Sequence, residues 1–392
     1  MSFKDTRESS LYLKSGASSS KKVLDLVVKN KERDFFCPLL DDPLLPDEKV
    51  ILHSDGAGTK PLLAYLAYKL TGETAWFEGL AWDSLVMNLN DVFCCGAAHS
   101  LFLTNTISRN KELVPDEAVS AVINGYKKAI KKLKEFGINI TLAGGETADV
   151  GDIVSTLSVD SSLFARIKNK DLISFKNIKR GDLIVGIASF GKASYEEREN
   201  SGIGCNGISL ARQVLISKKY FDKFPEIGKR RDLPRKGEDE IDLFSKLGQS
   251  SLTLLEALLS PTRVYAPFLL QLYSSAKESI HGVVHCTGGG QTKILNFGKG
   301  VFYCKEKFFP PPLIFKKIQE KVLISSKEMY QVFNMGHLLE LIIDPVALAL
   351  VASTASSFNL PFKVIGEIKD TRRDKNLLFI RTPDGEEFKA EL

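Results

Sequence analysis

A short polar, glycine-rich segment between an apolar strand and an apolar helix most constrains the fold of this chain. It reads His-Ser-Asp-Gly-Ala-Gly-Thr-Lys over residues 53–60. Residues 49–52 are typical of a strand, and residues 61–68 of a helix that starts with proline. Glycines let backbone N–H groups approach an anion, and a helix N-terminus favours negative charge. The segment predicts a phosphate-binding turn in which Asp55 holds a cation and Lys60 adds positive charge; a turn without a ligand stays the alternative.

Two further acidic positions extend this prediction. Asp91 lies near the end of a predicted helix over 76–95, where the helix dipole disfavours a carboxylate by about 0.3–1 kcal/mol. A bound cation would explain that placement, and so would a paired lysine. Glu146 follows a predicted strand over 137–143 and the glycine pair 144–145. Mg²⁺ takes oxygen ligands from carboxylates, phosphates and water. If the fold brings them together, the predicted magnesium ligands are Asp55, Asp91 and Glu146.

A second domain is predicted to start near residue 170. It contains apolar strands over 183–189 and 338–343 and a glycine run at 288–290, which is a second candidate phosphate cradle. Arg263, in a turn after Pro261, is placed to meet an anion. The sequence Pro-Asp-Gly at 383–385 predicts a hairpin turn.

Composition excludes several classes of protein. The 392 residues carry a net charge of +5, and acidic residues interleave with the basic cluster near 218–236, so no nucleic-acid surface is predicted. The six cysteines show no metal-binding spacing and are interpreted as reduced thiols in a cytoplasmic protein. No apolar run is long enough to span a membrane. Three of the histidines, His53, His99 and His281, are interpreted as packing or surface residues.

Seven motifs, each weak alone, follow one another in an order that resembles the aminoimidazole ribonucleotide (AIR) synthetases, also called phosphoribosylformylglycinamidine cyclo-ligases. The resemblance covers about residues 10–368. The motifs are Ser54–Lys60, Asn90-Asp91 with Gly96-Ala97, Gly144–Ala148, Asn206–Leu210, Pro261–Arg263, His285–Gly290 and Phe333–Gly336.

The resemblance implies an α+β fold of two domains. An N-terminal domain at residues 1–169 would form a barrel with its partner's sheet in a homodimer, and a C-terminal α/β sandwich domain would occupy 170–370. Residues 371–392 would form a charged extension. The implied reaction is ATP-driven closure of formylglycinamidine ribonucleotide to 5-aminoimidazole ribonucleotide, ADP and phosphate, in purine biosynthesis. ATP and Mg²⁺ would be the cofactors, with no nucleic-acid or membrane partner.

The same resemblance implies roles for individual residues. The catalytic residues would be Lys60, Asp91 and Asn206, and the metal ligands Asp55, Asp91 and Glu146. The residues around ATP would be Asp55, Gly56, Gly58, Thr59, Lys60, Gly144, Gly145 and Glu146. The ribonucleotide would meet Asn206, Arg263, Gly288, Gly289, Gly290 and Asn334.

The chain also departs from the family pattern. Gly204 stands where many members have a histidine, and Cys205 replaces a serine. A changed substrate, another ATP-dependent enzyme of the superfamily and a non-catalytic nucleotide-binding homologue therefore stay open. Selenophosphate synthetases want a cysteine or selenocysteine near the N-terminus, but residues 1–36 contain no cysteine. Thiamine monophosphate kinases lack the arrangement found at 334–336. The cyclo-ligase is the expected activity.

Overall fold

Two β-sheets, one in each half of the chain, organise the structure. This computed structural model describes residues 10–18, 34–237, 240–371 and 373–392. A helical pattern predicted at 21–28 lies outside these residues. No helix within the described ranges is long and apolar enough to cross a membrane. All six cysteines are buried and unpaired, as expected for thiols.

The first sheet has five strands in the order β1-β2-β5-β3-β4. Only β3 and β4 pair in parallel. Along β5, buried residues alternate with more exposed ones, so one face of the sheet is covered and the other is open. The strands are β1 (Leu40–Asp41), β2 (Glu48–Gly56), β3 (His99–Arg109), β4 (Ile140–Asp149) and β5 (Leu157–Lys168).

Helices cover one face of this sheet. They include α2 (Lys60–Thr71), α3 (Glu78–Phe93) and α4 (Asp116–Lys134). The helix α3 contacts β2, β5 and α4, and is therefore buried along nearly its whole length. Ahead of them, α1 (Ser10–Lys14) docks on the second half of the chain, where the backbone N–H of Leu11 donates to Glu328 at 3.2 Å.

The second sheet has seven strands in the order β14-β13-β10-β12-β6-β11-β9, and β10 pairs with β13 in parallel. Its strands are β6 (Leu183–Ala188), β9 (Ile280–His285), β10 (Phe302–Lys305), β11 (His337–Ile343), β12 (Phe362–Lys369), β13 (Leu377–Arg381) and β14 (Glu387–Glu391). A separate two-stranded ribbon joins β7 (Phe190–Gly191) to β8 (Asn200–Ser201). Every residue of β9 and β11 is buried, as expected for apolar strands.

Seven helices among the described residues surround the second sheet. They are α5 (Ile208–Leu215), α6 (Lys218–Lys223), α7 (Leu254–Leu258), α8 (Ala266–Ala276), α9 (Leu313–Lys321), α10 (Ser326–Val332) and α11 (Leu348–Ser357). A 3₁₀ helix at Gly290–Asn296 follows the second glycine run.

The C-terminal residues correct one predicted boundary. Strands β13 and β14 form a hairpin whose turn contains Gly385 in the left-handed conformation, with φ of 86°, at the predicted place. The hairpin is the edge of the second sheet because β13 pairs with β10. Residues 377–391 therefore belong to the second sheet and do not form a separate extension.

Candidate active site

The glycine turn predicted to bind phosphate lies where the two halves of the chain meet. Strand β2 ends at Gly56, and Gly58 takes the left-handed conformation, with φ of 58°, before α2 begins at Lys60. The hydroxyl oxygen of Thr59 lies 3.2 Å from that of Ser209 in α5. The turn therefore lies against the first turn of a helix from the second half of the chain.

Residues 205–206, just before α5, and the second glycine run at 288–290 also lie at the boundary between the two halves of the chain. A Cβ at Gly58 would lie 3.7 Å from the carbonyl of Cys205, and one at Gly288 would lie 3.8 Å from the side-chain nitrogen of Asn206. The side-chain oxygen of Asn206 is buried and has no hydrogen-bond partner among the described residues. Leaving such an oxygen unpaired costs about 1–3 kcal/mol. A ligand donor would relieve that cost, so substrate contact by Asn206 stays a prediction that the geometry allows.

Asp91 lies at the centre of a charged cluster beside α3. Its Oδ1 is 2.5 Å from Nδ1 of His285, and its Oδ2 is 3.4 Å from Nε2 of His53. Nδ1 of His53 also lies 2.8 Å from Oδ1 of Asn88. Both carboxylate oxygens of Asp91 are therefore engaged by imidazoles. These side chains balance the carboxylate that is set against the helix dipole, and its role as a metal ligand stays a prediction.

Burial and charge give the two imidazoles opposite protonation states. Burial lowers the pKa of both rings, but for His53 the hydrogen bond and charge of Asp91 prevail and raise its pKa to about 9. For His285 burial prevails and the pKa stays below its usual value. His285 is therefore neutral, donates from Nδ1 to Asp91, and accepts at Nε2 from Asn90 at 3.3 Å. Burial raises the pKa of Asp91, yet Lys293 and the imidazoles hold it well below its usual range.

This arrangement predicts how His53 titrates. We expect a pKa of about 9 in the folded protein, and a value at or below about 6.5 in Asp91→Asn, because the partner charge is lost. A folded-state pKa above that of the unfolded chain means that the ion pair stabilises the fold fully below about pH 6.5. That stabilisation is lost as the pH rises through 9. NMR titration of the imidazole C–H signals, assigned with His53→Gln, measures this; a His53 pKa below 7 in the parent chain would contradict it.

Sequence reasoning missed three members of this cluster. The sequence interpretation makes His53 a packing or surface residue and assigns no role to His285 or Lys293. One signal was present, since His53 stands two residues before Asp55 in a strand and alternate strand residues share a face. No local sequence pattern marks Lys293. Its 3₁₀ helix, which follows the glycine run, is brought beside α3 only by the fold.

Asp55 and Glu146 lie on strands that are far apart in the first sheet. Asp55 is opposite Ser161 on β5, Ser161 is opposite Asn105 on β3, and Asn105 is opposite Gly145 on β4. Three strand spacings of about 4.8 Å place β4 roughly 14 Å from β2. Glu146 is exposed on that edge strand, as are Gly144 and Gly145. The prediction that Asp55, Asp91 and Glu146 share one metal ion is therefore corrected: this chain does not bring the three carboxylates together.

Asp55 instead borders an oxygen-lined cavity of about 300 Å³. The cavity is lined by Ser54, Asp55, Thr104, Asn105, Thr106, Asp160, Ser161 and Ser162. Asp160 was not among the predicted site residues. A Cβ at Gly56 would meet the backbone carbonyl of Val159 at 2.9 Å as well as the movable carboxylate of Asp160, so position 56 favours glycine. Burial and the nearby charge of Asp91 raise the pKa of Asp55. A hard cation bound by Asp55 would relieve both effects.

Lys60 must be removed from the phosphate-binding and catalytic sets. Its side chain is fully buried, and its Nζ lies 2.9 Å from both carboxylate oxygens of Asp83 and 2.6 Å from the carbonyl of Ser260. Asp83 also accepts from the backbone N–H and the hydroxyl of Thr262, each at 2.7 Å. All three ammonium hydrogens therefore have acceptors, and Lys60 has no donor left for a phosphate. Its hydrogen bonds connect the 260–262 turn to α2 and α3.

Arg263 is corrected for the same reason. Its five N–H donors all have acceptors within the chain: both carboxylate oxygens of Glu196 and the carbonyls of Ala188, Phe190 and Gly191. A guanidinium group has five donors, so none remains for a substrate anion. Arg263 fixes the loop after β6.

Asn334 and Gly290 also have structural roles. The amide group of Asn334 donates to Gly202 and Ile203, while its oxygen accepts from Ser189 and Gly336. A Cβ at Gly290 would approach the carbonyl of Tyr330 to 2.6 Å. These two residues therefore hold the backbone of neighbouring segments in place. By contrast, Gly288 is exposed and Gly289 is half-buried.

Comparison with known proteins agrees with this architecture. A five-stranded and a seven-stranded mixed sheet, one in each half of the chain, define a two-domain α+β protein. The sequence profile "AIR synthase related protein, N-terminal domain" matches residues 40–165, and its C-terminal counterpart matches 179–376. The chain belongs to the AIR synthase related family, as the motif order predicted.

Individual relatives give the same result. The chain is 30% identical over 325 residues to the phosphoribosylformylglycinamidine cyclo-ligase of Methanocaldococcus jannaschii, covering 83% of this chain and 79% of that protein. Among solved structures, the HypE-HypF complex matches with a TM-score of 0.53 at 14% identity, covering 94% of this chain and 97% of that chain. AaThiL complexed with AMPPCP and TMP matches with a TM-score of 0.53 at 12% identity, covering 94% and 95%. At such low identity the two structures show the shared fold.

Proposed function

We propose that this chain is an ATP-dependent cyclo-ligase that converts formylglycinamidine ribonucleotide to 5-aminoimidazole ribonucleotide, ADP and phosphate in purine biosynthesis. One structural observation carries the proposal: two glycine turns from different halves of the chain both approach residues 205–206, and the second follows His285, which contacts Asp91. The 30% identity over 325 residues to the phosphoribosylformylglycinamidine cyclo-ligase of Methanocaldococcus jannaschii supports the proposal. A cytoplasmic location stays a prediction.

The reaction places simple demands on this site. The amide oxygen of the substrate attacks the γ-phosphorus of ATP, and ADP leaves. An amidine nitrogen then attacks the activated carbon, the carbon–oxygen bond breaks, phosphate leaves, and the nitrogen gives up a proton. Phosphoryl transfer needs mainly positioning and charge stabilisation. The backbone N–H of Gly56 donates to Asp55 and that of Ala57 to Val159, so Gly56 is corrected as a phosphate donor, and the N–H groups of Gly58 and Thr59 would orient phosphate oxygens. Asn206 would hold a substrate donor, and neutral His285 would keep Asp91 in place.

The same proposal includes Mg²⁺ bound with ATP. Asp55, which is near Asp91 and has a pKa raised by burial and by that charge, is the group of this chain that fits the ion. When bound, Mg²⁺ neutralises charge on the transferring phosphoryl group. Asp91 lies near Asp55 and stays a predicted ligand of the ion, with its two imidazole partners fixing the orientation of its carboxylate.

The proposal is tested with purified protein, Mg²⁺-ATP and formylglycinamidine ribonucleotide. We expect ADP release that depends on the ribonucleotide and yields one 5-aminoimidazole ribonucleotide for each ADP. ADP release with thiamine monophosphate in its place would assign a kinase activity. Binding of ATP without turnover on any amide or amidine would leave the chain as a nucleotide-binding homologue, and either result would overturn the proposal.

We also propose that the chain is a homodimer through the open face of its first sheet. Leu52 on β2 is opposite Phe164 on β5, which is opposite Phe102 on β3. Leu52 is 70% exposed and Phe102 is 44% exposed. Contiguous apolar side chains on an open face are typical of a protein interface, and pairing two such faces would close the barrel implied by the family.

Charged substitutions on this face should weaken the dimer. We expect Leu52→Glu combined with Phe102→Glu to raise the dimer dissociation constant at least about tenfold, because two carboxylates would be buried without partners. Sedimentation equilibrium measures this, with Ile153→Glu as the matched control, since Ile153 is 84% exposed in a turn outside the sheet. A parent chain that is monomeric at micromolar concentration would contradict the proposal.

A further inference from the structure

Lys293 presents unused hydrogen-bond donors at the boundary between the two halves of the chain. It lies in the 3₁₀ helix that follows the second glycine run, and its side chain is half-buried. Its Nζ donates to the hydroxyl of Thr287 and lies 4.6 Å from the ring centroid of Phe36. Within the described ranges no carboxylate oxygen lies within 4 Å of this ammonium group. An ammonium group has three donors, so two remain available here.

The position of Lys293 relative to the acids is informative. Its hydrogen-bond partner Thr287 stands two residues after His285, whose ring contacts Asp91 at 2.5 Å. Lys293 is therefore on the same side of the boundary as the Asp91 cluster without pairing directly with a carboxylate of the described residues. A half-buried cation is stabilised by an anion that makes contact. The glycine run on the same side leaves backbone room for a ligand at exposed Gly288.

The chemistry of the available groups narrows the ligand class. An ammonium with free donors, a hydroxyl and exposed glycine backbone suit the oxygen atoms of a phosphate group. A planar carboxylate would gain less here, because bidentate binding needs a guanidinium and that of Arg263 is fully used within the chain.

We propose that Lys293 contacts a phosphate group of the ligand in this boundary and is a further catalytic residue of the reaction. The inference rests on the proposed function for the identity of that phosphate, which is either the transferring γ-phosphoryl group or the 5′-phosphate of the ribonucleotide. Lys293 keeps its proton throughout. It donates hydrogen bonds to phosphate oxygens, so its contribution is largest where negative charge spreads over them in the transition state.

The test compares Lys293→Met with Lys293→Arg, which keeps the charge, and with Lys299→Met, an exposed lysine on the following turn. We expect Lys293→Met to lower kcat/KM about 100-fold, Lys293→Arg to recover part of that loss, and Lys299→Met to behave like the parent. Calorimetry with AMPPCP, ADP and ribose 5-phosphate identifies the phosphate. If Lys293→Met weakens AMPPCP but not ADP, the contact is the γ-phosphoryl group. If it weakens ribose 5-phosphate instead, the contact is the ribonucleotide.

Two results separate this inference from the proposed function. If the parent chain fails to cyclise the ribonucleotide, the proposed function fails, while the AMPPCP and ribose 5-phosphate arms still report on Lys293. If Lys293→Met, folded by circular dichroism, keeps kcat, KM and all three affinities within twofold of the parent, the inference is overturned. Should Lys293→Met not fold, Lys293→Gln replaces it under the same criteria.

Discussion

Replacing Asp91 with asparagine should lower kcat by about 100-fold while leaving the fold intact. The substitution keeps the shape of the side chain and an oxygen for the Nδ1–H of His285, but removes the negative charge that holds His53 protonated. The charge of Lys293 then lacks its main counterpart in the cluster. Losing one preorganised electrostatic contribution in a phosphoryl-transfer site costs on the order of 10²–10³ in rate. Steady-state kinetics with both substrates measures the change.

A matched control separates this effect from general loss of charge. Asp116→Asn removes the ion pair between Asp116 and Arg109 outside the site, so its kcat should equal that of the parent. Circular dichroism and thermal unfolding show whether each variant folds. Unchanged turnover in Asp91→Asn would remove Asp91 from the reaction and would leave its cluster with a purely structural role.

The second large effect is expected on stability, in Lys305→Met. Lys305 and Glu340 form a fully buried ion pair, with Nζ and Oε1 2.6 Å apart, and Lys305 also donates to the carbonyl of Gln291 at 2.8 Å. Burial raises the pKa of Glu340, yet Lys305 and His337 hold it below its usual value, so the carboxylate is charged. Removing the ammonium leaves that charge without its main partner and should lower the free energy of unfolding by about 3–5 kcal/mol.

Adding Glu340→Gln to Lys305→Met tests whether the unpaired carboxylate causes the loss of stability. In Lys305→Met with Glu340→Gln the buried charge is absent, so most of the lost stability should return. Lys299→Met, on the surface, should change stability by less than about 0.5 kcal/mol. Urea unfolding followed by tryptophan fluorescence and circular dichroism measures all three. If the double variant is as unstable as Lys305→Met, an unpaired carboxylate is not the cause.

The same pair explains a feature that resembles a metal site. Ligand atoms of Cys286, His337 and Glu340 lie within 4.8 Å of one another and are buried. The ammonium of Lys305 already supplies the cation that Glu340 requires, and burial and Glu340 raise the pKa of the Cys286 thiol well above its usual value. We therefore interpret this group as a buried ion-pair network under the second glycine run.

Much of the fold could be predicted because its elements carry local signals. The strand predicted at 49–52 lies within β2, and the helix predicted at 76–95 is α3 at Glu78–Phe93. Proline inside the start of α2 marked that helix, and the hairpin turn at 383–385 was marked by its residue types. Hydrophobic periodicity and turn chemistry act over a few residues, so one sequence suffices to find them.

The site was only partly predictable, because its charged residues are paired over long separations. Lys60 and Arg263 stand in positions that suit an anion, but Asp83 and Glu196, brought in by the fold, together with backbone carbonyls accept from all their donors. Asp91 was singled out by its unfavourable place at a helix end, which is a local signal. Its actual partners, His53 and His285, come from β2 and β9 and could not be paired with it from sequence.

The most direct test of the proposed reaction follows one oxygen atom. Formylglycinamidine ribonucleotide labelled with ¹⁸O at its amide oxygen is converted with Mg²⁺-ATP, and the released phosphate is analysed by mass spectrometry. If the amide oxygen takes the γ-phosphoryl group, each phosphate should carry one ¹⁸O atom derived from the substrate. Formation of 5-aminoimidazole ribonucleotide with unlabelled phosphate would contradict activation of the amide by phosphorylation, and the absence of any labelled or unlabelled product would contradict the cyclo-ligase activity itself.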